Sequence, residues 1–296
     1  MGLEFLPPFV PYNFLALSEE MSAYRSSRFV VLPVPYDSTT SYKAGAREGP
    51  RAIIEASRQL EDWDHELQQE TCRMGIHTLP ELEPHAGGPQ AMAERVAQVC
   101  DRLAKDGKTL ALLGGEHSVS PGAVRSLKQV YPDLSVLYLD AHGDMREEYQ
   151  GTPFSHACAA RRVRELCPLV MVGVRSMSSE EWSFVKRESV PVVFWERGTS
   201  PQEGLDIALT HLSSRVYISV DLDVLDPSVM PAVGTPEPGG MGWWDLLFLL
   251  RGVAERKRVV GFDVTELCPR EGPSSCAYVA AKLVYKMMGY ATLSGS

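Results

Sequence analysis

The stretch LSVLYLDAHGD (134–144) decides how the chain is read. Its first six residues are nearly all apolar at odd and even positions alike. That is the pattern of a strand covered on both faces, and such strands belong to parallel sheets. The run then stops at Asp140, His142 and Asp144. Strand alternation puts Asp140 and His142 on one side, and a hydrophobic core has no use for carboxylates that are neither paired nor coordinating. Open parallel sheets bind their ligands in the crevice beyond the carboxyl ends of the strands, which is where these groups would lie.

Six further runs read the same way: RFVVLPVP (28–35), TLALLGG (109–115), PLVMVGV (168–174), PVVFW (191–195), RVYISVD (215–221) and RVVGFDV (258–264). Amphipathic helix-like segments lie between and after them, at 89–106, 121–130, 156–166, 178–188, 201–213, 242–257 and 276–289. The first of these, PQAMAERVAQVCDRLAKDG, opens on Pro and closes on Gly. Alternation repeated this often predicts an α/β fold: a single three-layer α/β/α sandwich on a mostly parallel central sheet, with 1–296 as one domain. The Pro- and Gly-rich PSVMPAVGTPEPGGMG (227–242) falls between a strand and a helix, so it reads as a long functional loop. Residues 1–25 read as an arm docked on the domain, and 292–296 as a frayed end.

The 296 residues are 44% hydrophobic and 23% charged, an ordinary globular balance. A formal charge of -9 disfavours nucleic acid and anionic membranes as partners and suits a small cation better. The six cysteines are scattered with no CxxC pair, which fits free thiols in a reducing cytoplasm. MGLEFLPPFVPYNFLALSEE (1–20) lacks a basic start and is broken by prolines, so it reads as neither a signal peptide nor an anchor. No apolar run approaches the ~20 residues of a membrane span.

Polar signatures collect at four strand ends. GGEHS (114–118) brings His117; DAHGD (140–144) brings Asp140, His142 and Asp144; DLDVLDP (221–227) brings Asp221, Asp223 and Asp226; DVTELCP (263–269) brings Asp263 and Glu266. Each has a plain structural reading when taken alone. A strand-end Asp usually caps a helix or stabilises a turn, and Asp226 before Pro227 is read so. A solitary His117 would be a hydrogen-bonded histidine at a helix start, and His65, His77, His85 and His211, which lack companions, are read as structural. Together the odds change. His117, Asp140, His142, Asp144, Asp221 and Asp223 converging with no basic residue beside them would repel one another, and divalent cations remove that problem. Oxygen-rich ligands with imidazole and no thiolate disfavour structural zinc and suit Mn²⁺, ahead of Ni²⁺, Co²⁺ or Fe²⁺. Six ligands exceed what one catalytic ion takes, so two ions, ~3.5–4 Å apart and bridged by carboxylates, fit better.

These motifs resemble, in order and spacing, the signature segments of the ureohydrolase family, the arginases and agmatinases. The likeness runs from PVPYDSTTSYKAGAREGPRAI (33–53) to the C-terminal helix. It is nearest to the bacterial and archaeal agmatinases, with Glu standing for Asp within GGEH. The resemblance implies an arginase-like fold and two Mn²⁺ per chain. One ion would be held by His117, Asp140, Asp144 and Asp221, the other by Asp140, His142, Asp221 and Asp223, with Asp140 and Asp221 bridging. It also implies that His156 is a catalytic proton shuttle, that Glu266 holds the guanidinium of the substrate, that Asp263 supports the ligands, and that the chain is a homo-oligomer, a trimer or hexamer.

The expected activity is hydrolysis of a guanidino compound to urea and a primary amine. Two cations lower the pKa of a shared water, Glu266 pairs with the guanidinium N–H fork, and His156 protonates the leaving amine. The stretch EEYQGTPFSH (147–156) holds Thr152 and Ser155 but no Asn or Arg, and its Glu147 and Glu148 would welcome a terminal ammonium; as surface residues they would do nothing. Agmatine, giving putrescine for polyamine biosynthesis, is therefore the first expectation and aminopropylagmatine the next. Guanidinobutyrate, arginine and formiminoglutamate carry carboxylates and rank lower unless Arg47, Arg161 or Arg175 lines the pocket. A non-catalytic metal-stabilised relative would not need His156 and Glu266. A zinc deacetylase of related fold would leave His117, Asp144 and Asp223 surplus. Trp243 and Trp244 read as core residues.

Overall fold

The computed structural model describes residues 9–293, so the first eight residues of the expected arm and residues 294–296 of the expected frayed end lie outside the described residues. The strands, in chain order, are β1 (Phe29–Val34), β2 (Trp63–Asp64), β3 (Gln69–Glu70), β4 (Ile76–Thr78), β5 (Thr109–Gly114), β6 (Leu134–Leu139), β7 (Leu169–Val174), β8 (Val192–Phe194), β9 (Arg215–Asp221) and β10 (Arg258–Thr265). The helices are α1 (Glu19–Ser22), α2 (Gly49–Ser57), α3 (Pro89–Lys105), α4 (Ser120–Val130), α5 (Ala159–Leu166), α6 (Ser179–Arg187), α7 (Pro201–His211), α8 (Trp243–Ala254) and α9 (Ser275–Tyr290).

Eight strands form one sheet in the order β4-β1-β5-β10-β9-β6-β7-β8, and every pairing in it is parallel. The sheet is buried on both sides, which is why its strands read as unbroken apolar runs. In β6, Leu137 and Leu139 pack into one core while Val136 and Tyr138 pack into the other. The first core is closed by α2, α7, α8 and α9 through side chains such as Ile53, Leu205, Leu249 and Val284. The second is closed by α3, α4, α5 and α6 through Val96, Leu127, Val163 and Val185. This is the three-layer α/β/α arrangement.

The elements depart from the sequence reading in a few places. The edge strand β4 is three residues long and α2 opens on Gly-Pro, so neither announces itself by periodicity. In α2 the proline stands in the first turn, where its missing N–H costs nothing. His156 precedes α5 in a tight turn of its own, His156–Cys158, outside the helix proper. Trp243 packs partly buried against the core, but Trp244 is 71% exposed, because α8 turns that position outward. From residue 13 the N-terminal segment lies on the domain: Phe14 is fully buried, and the Phe14 and Leu15 amides donate to Thr78 Oγ1 and Ser57 Oγ, each at 3.0 Å. No helix among the described residues is long and apolar enough to cross a membrane.

Candidate metal centre

The sheet order explains how distant segments meet. The four strands with polar ends, β5, β10, β9 and β6, are consecutive neighbours at the middle of the sheet, and since all are parallel their carboxyl ends open on one edge. His117 follows β5 in the turn His117–Val119, Asp221 ends β9, Asp223 lies in the turn Leu222–Val224, and Asp140, His142 and Asp144 follow β6. Gly115 is required at the β5 end: a Cβ there would sit 2.1 Å from the Tyr36 carbonyl oxygen. That close approach brings the loop after β1 against the centre.

Two groups of ligand atoms result, His117, Asp140 and Asp221 in one and Asp140, His142 and Asp223 in the other, each within 4.8 Å and sharing Asp140. His117 Nδ1 lies 3.1 Å from Asp140 Oδ2, 3.2 Å from Asp221 Oδ2 and 3.6 Å from Asp144 Oδ2. His142 Nδ1 lies 2.9 Å from Asp223 Oδ2 and 3.6 Å from Asp140 Oδ1. The far side of the His117 ring is held by a chain: Nε2 lies 2.8 Å from Ser219 Oγ, which donates to Asp263 Oδ1, while the Tyr217 hydroxyl donates to Asp263 Oδ2, both at 2.8 Å. A histidine whose outer nitrogen is so anchored has its inner nitrogen aimed. Asp144 has φ 48° and Glu266 φ 65°, left-handed conformations that a packed chain keeps where a side chain must be re-aimed.

The electrostatics describe a cluster that lacks positive charge. Burial pushes the carboxyls of Asp144 and Asp221 well above the ordinary carboxylate range, and the Asp140 charge adds to both. Asp140 moves the other way: burial raises it, but hydrogen bonds from His117 and His142 outweigh burial and hold it low. Both histidines are held above their ordinary value although burial opposes it, His117 by Asp140 and Asp221, His142 by Asp223 and Asp140. Protons on the two rings thus sit where the carboxylates call for cations. Divalent ions compensate the same charges and leave imidazole and carboxylate free to ligate. The donor set therefore fits two ions.

Seven of the eight residues singled out in the sequence line one cavity of about 390 Å³; the eighth, Asp140, is fully buried beside it. Glu266 is buried in its wall, with Oε1 accepting the His117 amide at 2.7 Å, and burial together with the Asp221 and Glu116 charges pushes its carboxyl well up. His156 stands apart from both ligand groups. Its Nδ1 lies 3.2 Å from Thr39 Oγ1, its ring meets Tyr149 edge-on at 6.0 Å, and burial, helped by the His142 charge, pushes it down to about 4. It is neutral at neutral pH.

The loops decide between readings that the sequence left open. Glu147 and Glu148 do not line the cavity; Glu147 pairs with Arg161 at the surface, and the one carboxylate that the cavity adds to Glu266 and the aspartates is Glu181. Glu181 is marked in the sequence only as the last residue of an S-x-x-E capping box at the start of α6; it accepts the Met145 amide and the Ser178 amide and hydroxyl. Arg47 is bound to Asp37, Arg161 lies on the Phe184 ring, and Arg175 spends its guanidinium on the Asp223 and Glu237 carbonyls, so none of the three lines the cavity. The cations that do line it are matched: Arg146 lies 3.9 Å from Glu181 and Lys43 3.3 Å from Glu271. Asp226 accepts the Ser228, Gly239 and Gly240 amides, a loop staple as its sequence context suggests. Thr39, Tyr138 and Ser219 go unmarked in the sequence, since each reads as an ordinary turn or core residue.

Comparison with known proteins agrees with this geometry. A model of the arginase family matches residues 27–289. The chain is 38% identical over 289 residues to the N(1)-aminopropylagmatine ureohydrolase of Synechocystis sp., covering 95% of this chain and 94% of that one. It is 33% identical over 276 residues to the agmatinase of Halalkalibacterium halodurans, covering 90% and 93%. Among solved structures, the agmatine ureohydrolase of Thermoplasma volcanium superposes with a TM-score of 0.86 at 30% identity, covering 96% of each chain.

Proposed function

The chain belongs to the arginase family, and we propose that it releases urea from a guanidinobutyl amine, with N(1)-aminopropylagmatine ahead of agmatine as its substrate. It is a ureohydrolase, a hydrolase of linear amidines, and its family depends on a binuclear metal centre. The order of substrates follows the higher identity to the aminopropylagmatine enzymes and a cavity with no unmatched cation for a carboxylate. Spermidine would be the amine product from the first substrate and putrescine from the second. The observation that carries the reading is the pair of ligand groups sharing Asp140, under a cavity walled by Glu266 and His156.

His117, Asp140, Asp144 and Asp221 would hold one ion, and Asp140, His142, Asp221 and Asp223 the other. Oxygen and imidazole donors without thiolate favour Mn²⁺. Bound ions supply charge compensation for the aspartates and water acidic enough to attack at neutral pH. The protein supplies the rest. Glu266, a buried carboxylate that ionises favourably only beside a cation, receives the guanidinium and fixes its carbon over the aspartates. His156 is neutral, so the proton it gives the departing amine is one it has first taken from the attacking water. The whole chain acts as one domain, in the cytoplasm, as a homo-oligomer of three or six copies; its six free, buried cysteines suit that compartment.

The test is urea release after Mn²⁺ loading, measured with aminopropylagmatine, agmatine, arginine and guanidinobutyrate. Turnover of the first two and little of the others is expected. Preference for arginine or guanidinobutyrate would overturn the substrate, and no urea from any would overturn the activity.

A further inference from the structure

Glu116 is buried one residue before a candidate ligand, yet its carboxylate turns away from the metal centre. Its Oε2 accepts the amides of Ser38 at 2.8 Å and Thr39 at 2.7 Å. Its Oε1 accepts the hydroxyls of Ser118 at 2.6 Å and Thr39 at 3.0 Å. Four donors converge on one carboxylate from two segments of the chain. Thr39 Oγ1 in turn lies 3.2 Å from His156 Nδ1 and accepts the His156 amide at 3.0 Å.

The hydrogen atoms can be counted. A hydroxyl has one proton to give and two lone pairs to receive with. Thr39 gives its proton to Glu116 and already accepts the His156 amide. The remaining contact, at Nδ1, is satisfied only if the ring nitrogen carries the proton and donates it to Thr39. The other ring nitrogen, Nε2, is then the unprotonated one, left for the cavity that His156 lines. The hydrogen bond made by one imidazole nitrogen sets the chemistry of the other.

We infer that Glu116 and Thr39 are positioning residues for the reaction: through the chain Glu116–Thr39–His156 they fix the His156 ring with Nδ1 protonated and Nε2 free to take and return the proton. This rests on the role given to His156 above. The Glu of GGEH is then a working choice, since its carboxylate spans from the β5 end to the loop that carries Thr39. Neither residue lines the cavity; the Glu116 charge also reaches Glu266, so the Thr39 variants isolate the effect carried through His156.

The chain is tested with E116Q, T39V and T39S. Nitrogen-15 NMR of the His156 ring is recorded in the full chain loaded with Mg²⁺, a diamagnetic ion, and metal content, kcat and KM are measured after Mn²⁺ loading. In the wild type His156 is expected as the Nδ1–H tautomer. In E116Q the amide oxygen stays on the two backbone N–H groups and its NH₂ meets Thr39, whose hydroxyl must then turn to Nδ1; the ring switches to Nε2–H. In T39V the two tautomers mix. For both, kcat falls about 10- to 100-fold and metal content is unchanged; in T39V, which leaves the charges around Glu266 as they are, KM changes less than about threefold. T39S recovers most of what T39V loses. An Nε2–H ring in the wild type overturns the inference, as does an unchanged tautomer and kcat in T39V and E116Q. Should E116Q fail to fold, T39V against T39S decides alone. A tautomer that switches in a protein releasing no urea leaves the chain of hydrogen bonds standing and overturns the activity.

Discussion

Tyr138 stacks on the His117 ring, centroids 4.5 Å apart and planes 10° from parallel, and its hydroxyl donates to Asp144 Oδ2 at 3.0 Å and lies 3.0 Å from His117 Nδ1. One residue of β6 thus supports two candidate ligands, the imidazole by stacking and both by its hydroxyl. Y138F keeps the stacked ring and removes the hydroxyl contacts. The fold should survive within a few degrees of Tm. Asp144, already at φ 48°, loses the bond that orients it, and affinity for the first ion should drop about 10- to 100-fold. Calorimetric titration of the metal-free chain with Mn²⁺ measures this. An unchanged affinity would show that the hydroxyl does not hold Asp144 for the ion.

Asp221 should respond in opposite directions with and without metal. Its carboxyl is buried, pushed well up by burial and by the Asp223 and Asp140 charges, and within 3.2 Å of His117. Without ions it is a burden on the fold at neutral pH, because the unfolded chain releases a proton that the buried carboxyl keeps, and D221N should raise the melting temperature of the metal-free chain. With Mn²⁺ present the wild type gains from binding and the variant does not. Melting curves of both proteins, with chelator and with Mn²⁺, should therefore cross, and D221N should lose metal retention and turnover together. Urea release that persists in D221N would count against the shared-ligand scheme.

The sheet and most of the centre were legible in the sequence for the same physical reason. Parallel strands are buried on both faces, so Leu137 and Tyr138 both look apolar although they enter different cores, and the polar residues stop where the cover stops. The order of strands was not legible, because β10 is inserted between β5 and β9 by helical crossovers, and nothing in RVVGFDV names its neighbours. Supporting residues were invisible for a related reason. Tyr138 and Ser219 acquire their roles from what other strands place beside them. Glu147 stayed open in the sequence because the composition of a loop does not say which side faces the cavity; the Arg161 guanidinium draws it outward.

His156 gives the fold a pH dependence whose sign follows from its environment. Burial pushes its folded-state value down to about 4 from an ordinary 6.5. Between these values the unfolded chain binds a proton that the folded chain refuses, so stability falls as pH falls through that window and is fully present above about 6.5. The whole difference corresponds to about 3 kcal/mol. Urea unfolding of wild type and H156N near pH 7.5 and near pH 5 isolates it, since the other titrating groups are common to both. The wild type should lose more stability on acidification than H156N, by about 1–2 kcal/mol at pH 5. Equal losses would mean that the folded protein accepts the proton on His156 and that the ring is less buried than its contacts with Thr39 and Tyr149 imply.

Glu266 separates holding metal from holding substrate. Its Oε1 accepts the His117 amide at 2.7 Å and its own amide donates to the Gly115 carbonyl at 2.8 Å, so backbone contacts on both sides fix it. In E266Q the amide oxygen can keep the His117 contact, the left-handed backbone at φ 65° is unaffected, and the candidate ligands stay in place. What is lost is the negative charge that the guanidinium meets. A buried charge-assisted pair broken on one side costs about 2–5 kcal/mol, so kcat/KM should fall by about 30- to several thousand-fold while the chain still binds its full complement of Mn²⁺. Equilibrium dialysis reports the metal and a urea assay the turnover. E266Q that loses its metal would make Glu266 part of the metal site, and E266Q that turns over normally would mean that another carboxylate of the cavity wall receives the guanidinium.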